Sequence, residues 1–169
     1  MKMSDLFVAE LDREAERSRR ALERFPDGRF DWKPHDSSMA LGYIAVMVAT
    51  IPAWVAMTVT IEEFDIKPAG GSSFNPGRLD TSAALIAALN KSVGEARAAL
   101  EKASDDFLET SWRLLESGKT VMETPRTVAI ADTINHWVHH RGQMTVYFRL
   151  MGVPVPALYG PSADDHRFL

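Results

Sequence analysis

The sequence predicts an all-α protein, namely a four-helix bundle with a short irregular or hairpin segment before the last helix. Four long stretches repeat apolar residues at helical spacing, so each of these helices has one face to bury. Clusters of proline and glycine separate the stretches. Amphipathic helices bury their apolar faces against one another, and 169 residues fit one domain that spans residues 1–169.

The first two predicted helices cover most of the N-terminal half. Residues 4–25 alternate apolar positions with Asp, Glu and Arg, and Pro26 and Gly28 then end the helix. The second helix runs from about residue 39 to about residue 64. We expect a kink at Pro52, because proline lacks the backbone N–H and crowds the preceding turn.

The C-terminal half holds the other two predicted helices. Residues 67–79 contain three glycines and two prolines and are predicted to form a loop. The third helix begins after Asp80 or Thr81 and extends to about residue 102. The fourth spans about residues 126–151 and stops at Gly152.

The segment before the fourth helix has a different pattern. A short helical turn is predicted at residues 105–109, and extended pieces at residues 112–115 and 120–123. Ser117-Gly118 lies between the two extended pieces and is typical of a hairpin turn.

Composition argues against several classes of protein. A net charge of −4 and a pI near 5.7 argue against nucleic-acid binding, which usually shows a basic face. The absence of cysteine excludes disulfides, thiolate metal sites and a cysteine nucleophile. The apolar run at residues 41–59 is interrupted by Pro52 and several threonines, so we interpret it as a core helix rather than a membrane span. We expect a cytoplasmic protein.

The most informative stretch is residues 135–143, NHWVHHRGQ, which carries three of the five histidines. His136 and His140 are four apart, so on a helix their rings project from one face and can bind a single metal ion. At about 100° per residue, both fall on the apolar, bundle-facing side of the fourth helix. The alternative is a pair of core histidines satisfied by Tyr, Gln and backbone, and periodicity alone does not decide between the two.

Several motifs together carry a resemblance to a known family. They are residues 32–35 (WKPH), 38–45 (SMALGYIA), 135–143 (NHWVHHRGQ), 147–150 (YFRL) and 153–164 (VPVPALYGPSAD). In these the chain resembles the DinB family, of the DinB/YfiT-like metalloenzyme superfamily, over nearly its whole length. The resemblance implies an up-down-down-up four-helix bundle and a homodimer.

The resemblance also implies a metal site with one unusual position. The family holds a divalent metal with one histidine of the second helix and the HxxxH pair of the fourth, which here is His136 and His140. The second-helix position is occupied by Met47. A thioether is a poor ligand for zinc, nickel or iron and packs well as an apolar filler, so we expect weakened metal binding.

Two functions remain open at this point. The first is a metal-dependent enzyme, a thiol S-transferase or a hydrolase, in which a small-molecule thiol or water would complete the site and Gln143 or Tyr147 would orient substrate. The alternative is a non-catalytic dimeric bundle with a degenerate metal site. It would bind a small apolar ligand or serve a structural role, with a pocket lined by Met47, Trp54, Trp137, Met144 and Phe148. Each of these five residues is nevertheless expected first of all in the core.

Overall fold

A computed structural model describes residues 2–71 and 77–168 of the protein. Within these ranges the chain forms six helices and three strands, in the following order. They are α1 (Met3–Leu22), α2 (Leu41–Thr50), α3 (Pro52–Thr60), β1 (Glu63–Asp65), α4 (Ser82–Leu100), α5 (Asp105–Leu108), β2 (Ser111–Glu116), β3 (Lys119–Pro125) and α6 (Arg126–Leu150).

The predicted helices are all present, and the second is broken where proline predicts it. α2 and α3 meet at Ile51–Pro52 with a bend of 45°. Proline at the first position of α3 has no N–H to donate, and its fixed φ suits a helix start. The prediction of a kink at Pro52 is therefore confirmed.

The predicted end of the second helix, at about residue 64, is wrong. α3 stops at Thr60, and Glu63–Asp65 forms a strand that pairs in parallel with β2. The backbone explains the difference: Glu62 O accepts from Arg113 N at 3.2 Å, and Ile66 N donates to Leu115 O at 2.9 Å. These ladder bonds come from a partner some fifty residues away, which local periodicity does not reveal.

The hairpin prediction is confirmed, and the sheet it belongs to corrects the all-α class. β2 and β3 pair antiparallel, and with β1 they form a mixed sheet in the order β1-β2-β3. Ser117 and Gly118 both have positive φ, as a two-residue type I′ turn requires. The Asp65 carboxylate accepts from both turn amides, which ties β1 to the hairpin. The protein is thus helix-rich with a small three-stranded sheet.

The buried residues form one apolar cluster around α2. Nearly every residue of α2 is buried, and α4 and α6 both pack against it. Trp137 of α6 donates its indole N–H to Val48 O of α2 at 2.7 Å, so its one polar atom is satisfied inside the core. This packing fixes the face of α6 that carries the histidines.

A close approach at Gly42 fixes the connection between α1 and α2. A Cβ at Gly42 would stand 2.0 Å from the Phe30 ring, and Gly42 N donates to Phe30 O at 2.9 Å. Gly142 on α6 differs, since a Cβ there would meet nothing within 4 Å among the described residues. The packing therefore requires a glycine at position 42, whereas no described residue requires one at position 142.

A buried ion pair attaches α6 and the C-terminal segment to α1. Arg141 and Glu14 are each about 1% exposed and are bonded to one another, and Tyr159 donates to Glu14 at 2.9 Å. Burial alone would raise the pKa of Glu14. The Arg141 charge and the hydrogen bonds from Arg141, Tyr159 and Arg17 outweigh it, so the pKa lies below its ordinary value.

No single helix in the described ranges is long and apolar enough to cross a membrane. The bent pair α2 and α3 reaches that length and composition only when both helices are taken together.

Candidate functional site

The two predicted ligands, His136 and His140, lie together on α6. Their Nε2 atoms are 2.8 Å apart and their ring centroids 4.6 Å apart. One helical turn separates them, so the contact follows directly from the four-residue spacing. The prediction that this spacing brings the two rings together is confirmed.

The glutamine three residues further on contacts the pair. His140 Nδ1 lies 2.9 Å from Gln143 Oε1. This contact suits the tautomer in which His140 Nδ1–H donates to the amide oxygen and the Nε2 lone pair faces His136. Gln143 thus orients His140 in the way that a supporting residue orients a metal ligand.

The two histidines differ in exposure. His140 is buried, with 5% of its surface exposed, whereas His136 is exposed and meets the Trp54 ring edge-on at 5.5 Å between centroids. The prediction that both point into the interior is therefore correct only for His140. Burial lowers the pKa of both imidazoles and nearby His139 lowers it further, so the neutral forms are favoured.

Met47 occupies a core position on α2. It is 5% exposed and belongs to the same buried cluster as Trp137, Met144 and Phe148. The expectation that they are first of all core residues is confirmed for these four, and of the five residues considered as pocket lining only Trp54 is in the cavity wall described below. Tyr147 is also occupied elsewhere, because its hydroxyl donates to Met39 O at 3.2 Å.

The donor set around the histidine pair does not fit a three-ligand divalent site. In the described part of the chain, no group of three or more His, Cys, Asp or Glu side chains is placed to hold a metal ion. The two Nε2 atoms face one another, as two ligands of one ion would, but the described residues bring no third His, Cys, Asp or Glu to them.

Next to His136 lies a cavity of about 360 Å³. It is enclosed by α3, the inner face of the sheet and α6, and its apolar wall includes Trp54, Met57, Phe64, Trp112, Leu114 and Met122. The sequence did not predict it, because one wall depends on β1 and on the sheet's packing against the helices. A cavity of this size and apolarity suits a small organic ligand.

A polar stripe of α6 closes the cavity on the histidine side. It consists of Asp132, Thr133 and His136, and Thr133 Oγ1 already donates to Ala129 O at 2.8 Å. Across the cavity, Trp112 is 4% exposed, and its Nε1 is the one buried side-chain polar atom without a partner in the described ranges. The alternation of buried and exposed residues in β2 could have marked Trp112 as inward, but not its unpaired N–H.

Comparison with known proteins places the fold. The family model described as "DinB family" matches residues 1–167. Among solved structures, a DinB-like protein from Bacillus cereus has a TM-score of 0.68 at 23% identity, with 90% of this chain and 95% of that one covered. YjoA from Bacillus subtilis has a TM-score of 0.66 at 16% identity, with coverage of 88% and 96%.

Two further proteins are similar to this chain. YfiT from Bacillus subtilis has a TM-score of 0.65 at 16% identity over 89% of each chain, and it is described as "a probable metal-dependent hydrolase with an unusual four-helix bundle topology". The uncharacterised protein YrdA of Bacillus subtilis is 42% identical over 43 residues, which span 25% of this chain and 26% of YrdA. These likenesses carry the fold, and the site has to be judged from this chain's own residues.

Proposed function

The chain belongs to the DinB family, and we propose that it is a small-molecule-binding member in which the histidine pair borders the ligand cavity. The observation that carries the proposal is the 360 Å³ cavity with His136 in its wall. Its volume lies in the range of known ligand pockets, and apolar walls with few polar groups are typical of such sites. The same proposal includes an up-down-down-up bundle, a homodimer and a cytoplasmic location.

The chemistry of the wall defines what the site can do. Burying an apolar ligand of this size removes its surface from water at about 25 cal/mol per Å². The two methionines in the wall, Met57 and Met122, have flexible side chains that adapt to ligand shape. His136, whose pKa is lowered by burial, adds an imidazole to one edge of the wall. The arrangement therefore supports binding and orientation of a compact organic molecule.

Ethylbenzene is a suitable first probe, with binding followed by methyl NMR of the methionines. We expect saturable shifts of the Met57 and Met122 signals. Met122→Trp fills the cavity and should weaken ethylbenzene binding by roughly tenfold or more.

Val121→Trp is the matched control. Val121 adjoins Met122 on β3 but points outward with 54% of its surface exposed, so its replacement should leave binding unchanged. Wild-type protein that shows no saturable shift, or equal loss in both variants with folding intact, would refute the ligand-binding proposal.

A metal-dependent hydrolase or thiol S-transferase is the second candidate. The shared direction of the two Nε2 atoms and the Gln143 hydrogen bond to His140 favour it, and YfiT's description supports metal dependence at the level of the family. It is disfavoured because residues 2–71 and 77–168 place no third His, Cys, Asp or Glu beside the pair. His136 and His140 are the proposed ligands, with Met47 as a filler at the third position.

A further inference from the structure

We infer that the ligand of this cavity is an uncharged, mainly apolar molecule with a carbonyl group that accepts a hydrogen bond from Trp112 Nε1. The inference rests on the proposed ligand-binding function and names the ligand class. It comes from one donor that the protein itself leaves unsatisfied, together with the charge beside the cavity.

The unsatisfied donor is unusual in this structure. Trp112 has only 4% of its surface exposed, and its indole N–H has no acceptor among the described residues. Trp137, the other deeply buried tryptophan, donates to Val48 O. A buried donor without an acceptor is costly, so a ligand that supplies an acceptor at Trp112 gains more than an apolar ligand of the same shape.

Three other polar groups on the cavity wall already have partners. Thr58 Oγ1 donates to Trp54 O, Thr133 Oγ1 donates to Ala129 O, and His136 Nε2 is directed at His140 Nε2. Trp112 is the wall residue whose buried donor has no acceptor in the described ranges. Its N–H is covered, so the inference includes a movement of wall side chains, of which Met57 and Met122 are the most flexible.

The negative charge of Asp132 beside the cavity favours a neutral acceptor over an anionic one. Asp132 stands in the wall and is exposed, while neither Arg nor Lys lines the cavity in the described ranges. A carboxylate or phosphate ligand would meet this negative charge without a compensating cation. A neutral acceptor avoids that cost, and a ketone, aldehyde or ester carbonyl is the simplest acceptor that an apolar body can carry.

Acetophenone and ethylbenzene test the inference, because they share ring and length and differ by the carbonyl. The ratio of their dissociation constants defines a carbonyl preference for each protein variant. When this preference is compared between variants, the free energy of transferring each probe from water cancels. We expect this preference to fall by roughly fivefold in Trp112→Phe. Trp32→Phe is the control, since Trp32 contacts Tyr147 and does not line the cavity.

The wild-type protein provides a second measurement that does not depend on folding of the variant. Acetophenone should shift the Trp112 indole N–H resonance downfield in ¹⁵N spectra, and ethylbenzene should not. Benzoate, with the same ring and a charged carboxylate, should bind more weakly than acetophenone.

The outcomes separate the two proposals. If both probes bind but the carbonyl preference does not change and the indole signal does not shift, the carbonyl inference is wrong and the ligand-binding proposal stands. Benzoate binding as tightly as acetophenone would overturn the requirement for a neutral ligand. If neither probe binds to wild type, both proposals fail.

Discussion

Neighbouring residues of one short segment of α6 have separate tasks. His140 is oriented by Gln143 towards His136, whereas Arg141, about 100° further round the helix, is buried against Glu14 of α1. The two histidines of this segment therefore belong to the candidate site, whereas Arg141 stabilises the packing of α6 against α1. Sequence spacing predicted the histidine contact, but the role of Arg141 depends on α1, whose packing the spacing does not contain.

We expect the buried Arg141 side chain to contribute strongly to stability. Arg141→Leu removes the fully buried cation of Glu14 and leaves it only the more exposed Arg17 and the Tyr159 hydroxyl. We therefore expect a loss of about 3 kcal/mol in the free energy of unfolding, at the lower end of the range for breaking a buried ion pair. Urea denaturation measures it. Arg149→Leu is the control: Arg149 is half exposed in its pair with Asp164, and its loss should cost below about 1 kcal/mol.

Adding Glu14→Gln to Arg141→Leu should recover part of the stability, because it removes a buried charge that Arg17 alone compensates. Equal, small effects for Arg141→Leu and Arg149→Leu would contradict the role given to the buried pair.

The elements show where local sequence information suffices and where it fails. The hairpin turn and the break at Pro52 are local, since Ser117-Gly118 and the proline ring fix the backbone at their own positions. β1 is different. Its pairing with β2 joins Phe64 to Leu114, and a three-residue strand at the end of a helical run has no periodicity of its own. Missing β1 also meant missing the cavity that the sheet encloses.

Alanine substitutions at two glycines test the packing around α2 and α6. Gly42→Ala places a Cβ against the Phe30 ring and should destabilise the protein by about 1–3 kcal/mol. Gly142→Ala meets open space in mid-helix and should stabilise it by about 0.5–1 kcal/mol.

Thermal unfolding of both glycine variants gives the sign. A stabilised Gly42→Ala would show that the connection before α2 is looser than described. A destabilised Gly142→Ala would indicate a surface pressed against α6 in solution.

The whole molecule shares its fold with proteins of low sequence identity. The chain superposes on YfiT at a TM-score of 0.65 with 16% identity, and nearly all of α2 is buried in the core. Met47 shows how this is possible, because a flexible thioether packs in the interior where the resemblance implies a histidine. Family membership was predictable from the sequence. The unpaired indole N–H of Trp112 was not predictable, because the lack of an acceptor is visible only in the folded structure.

We propose that Met47 leaves the histidine pair without a third metal ligand. Metal analysis of protein purified without a histidine tag and equilibrated with zinc measures this directly. We predict well under one zinc per chain in wild type, close to one in Met47→His, and loss of that zinc when His136→Ala is added. One zinc per wild-type chain that disappears in His136→Ala alone would contradict the account.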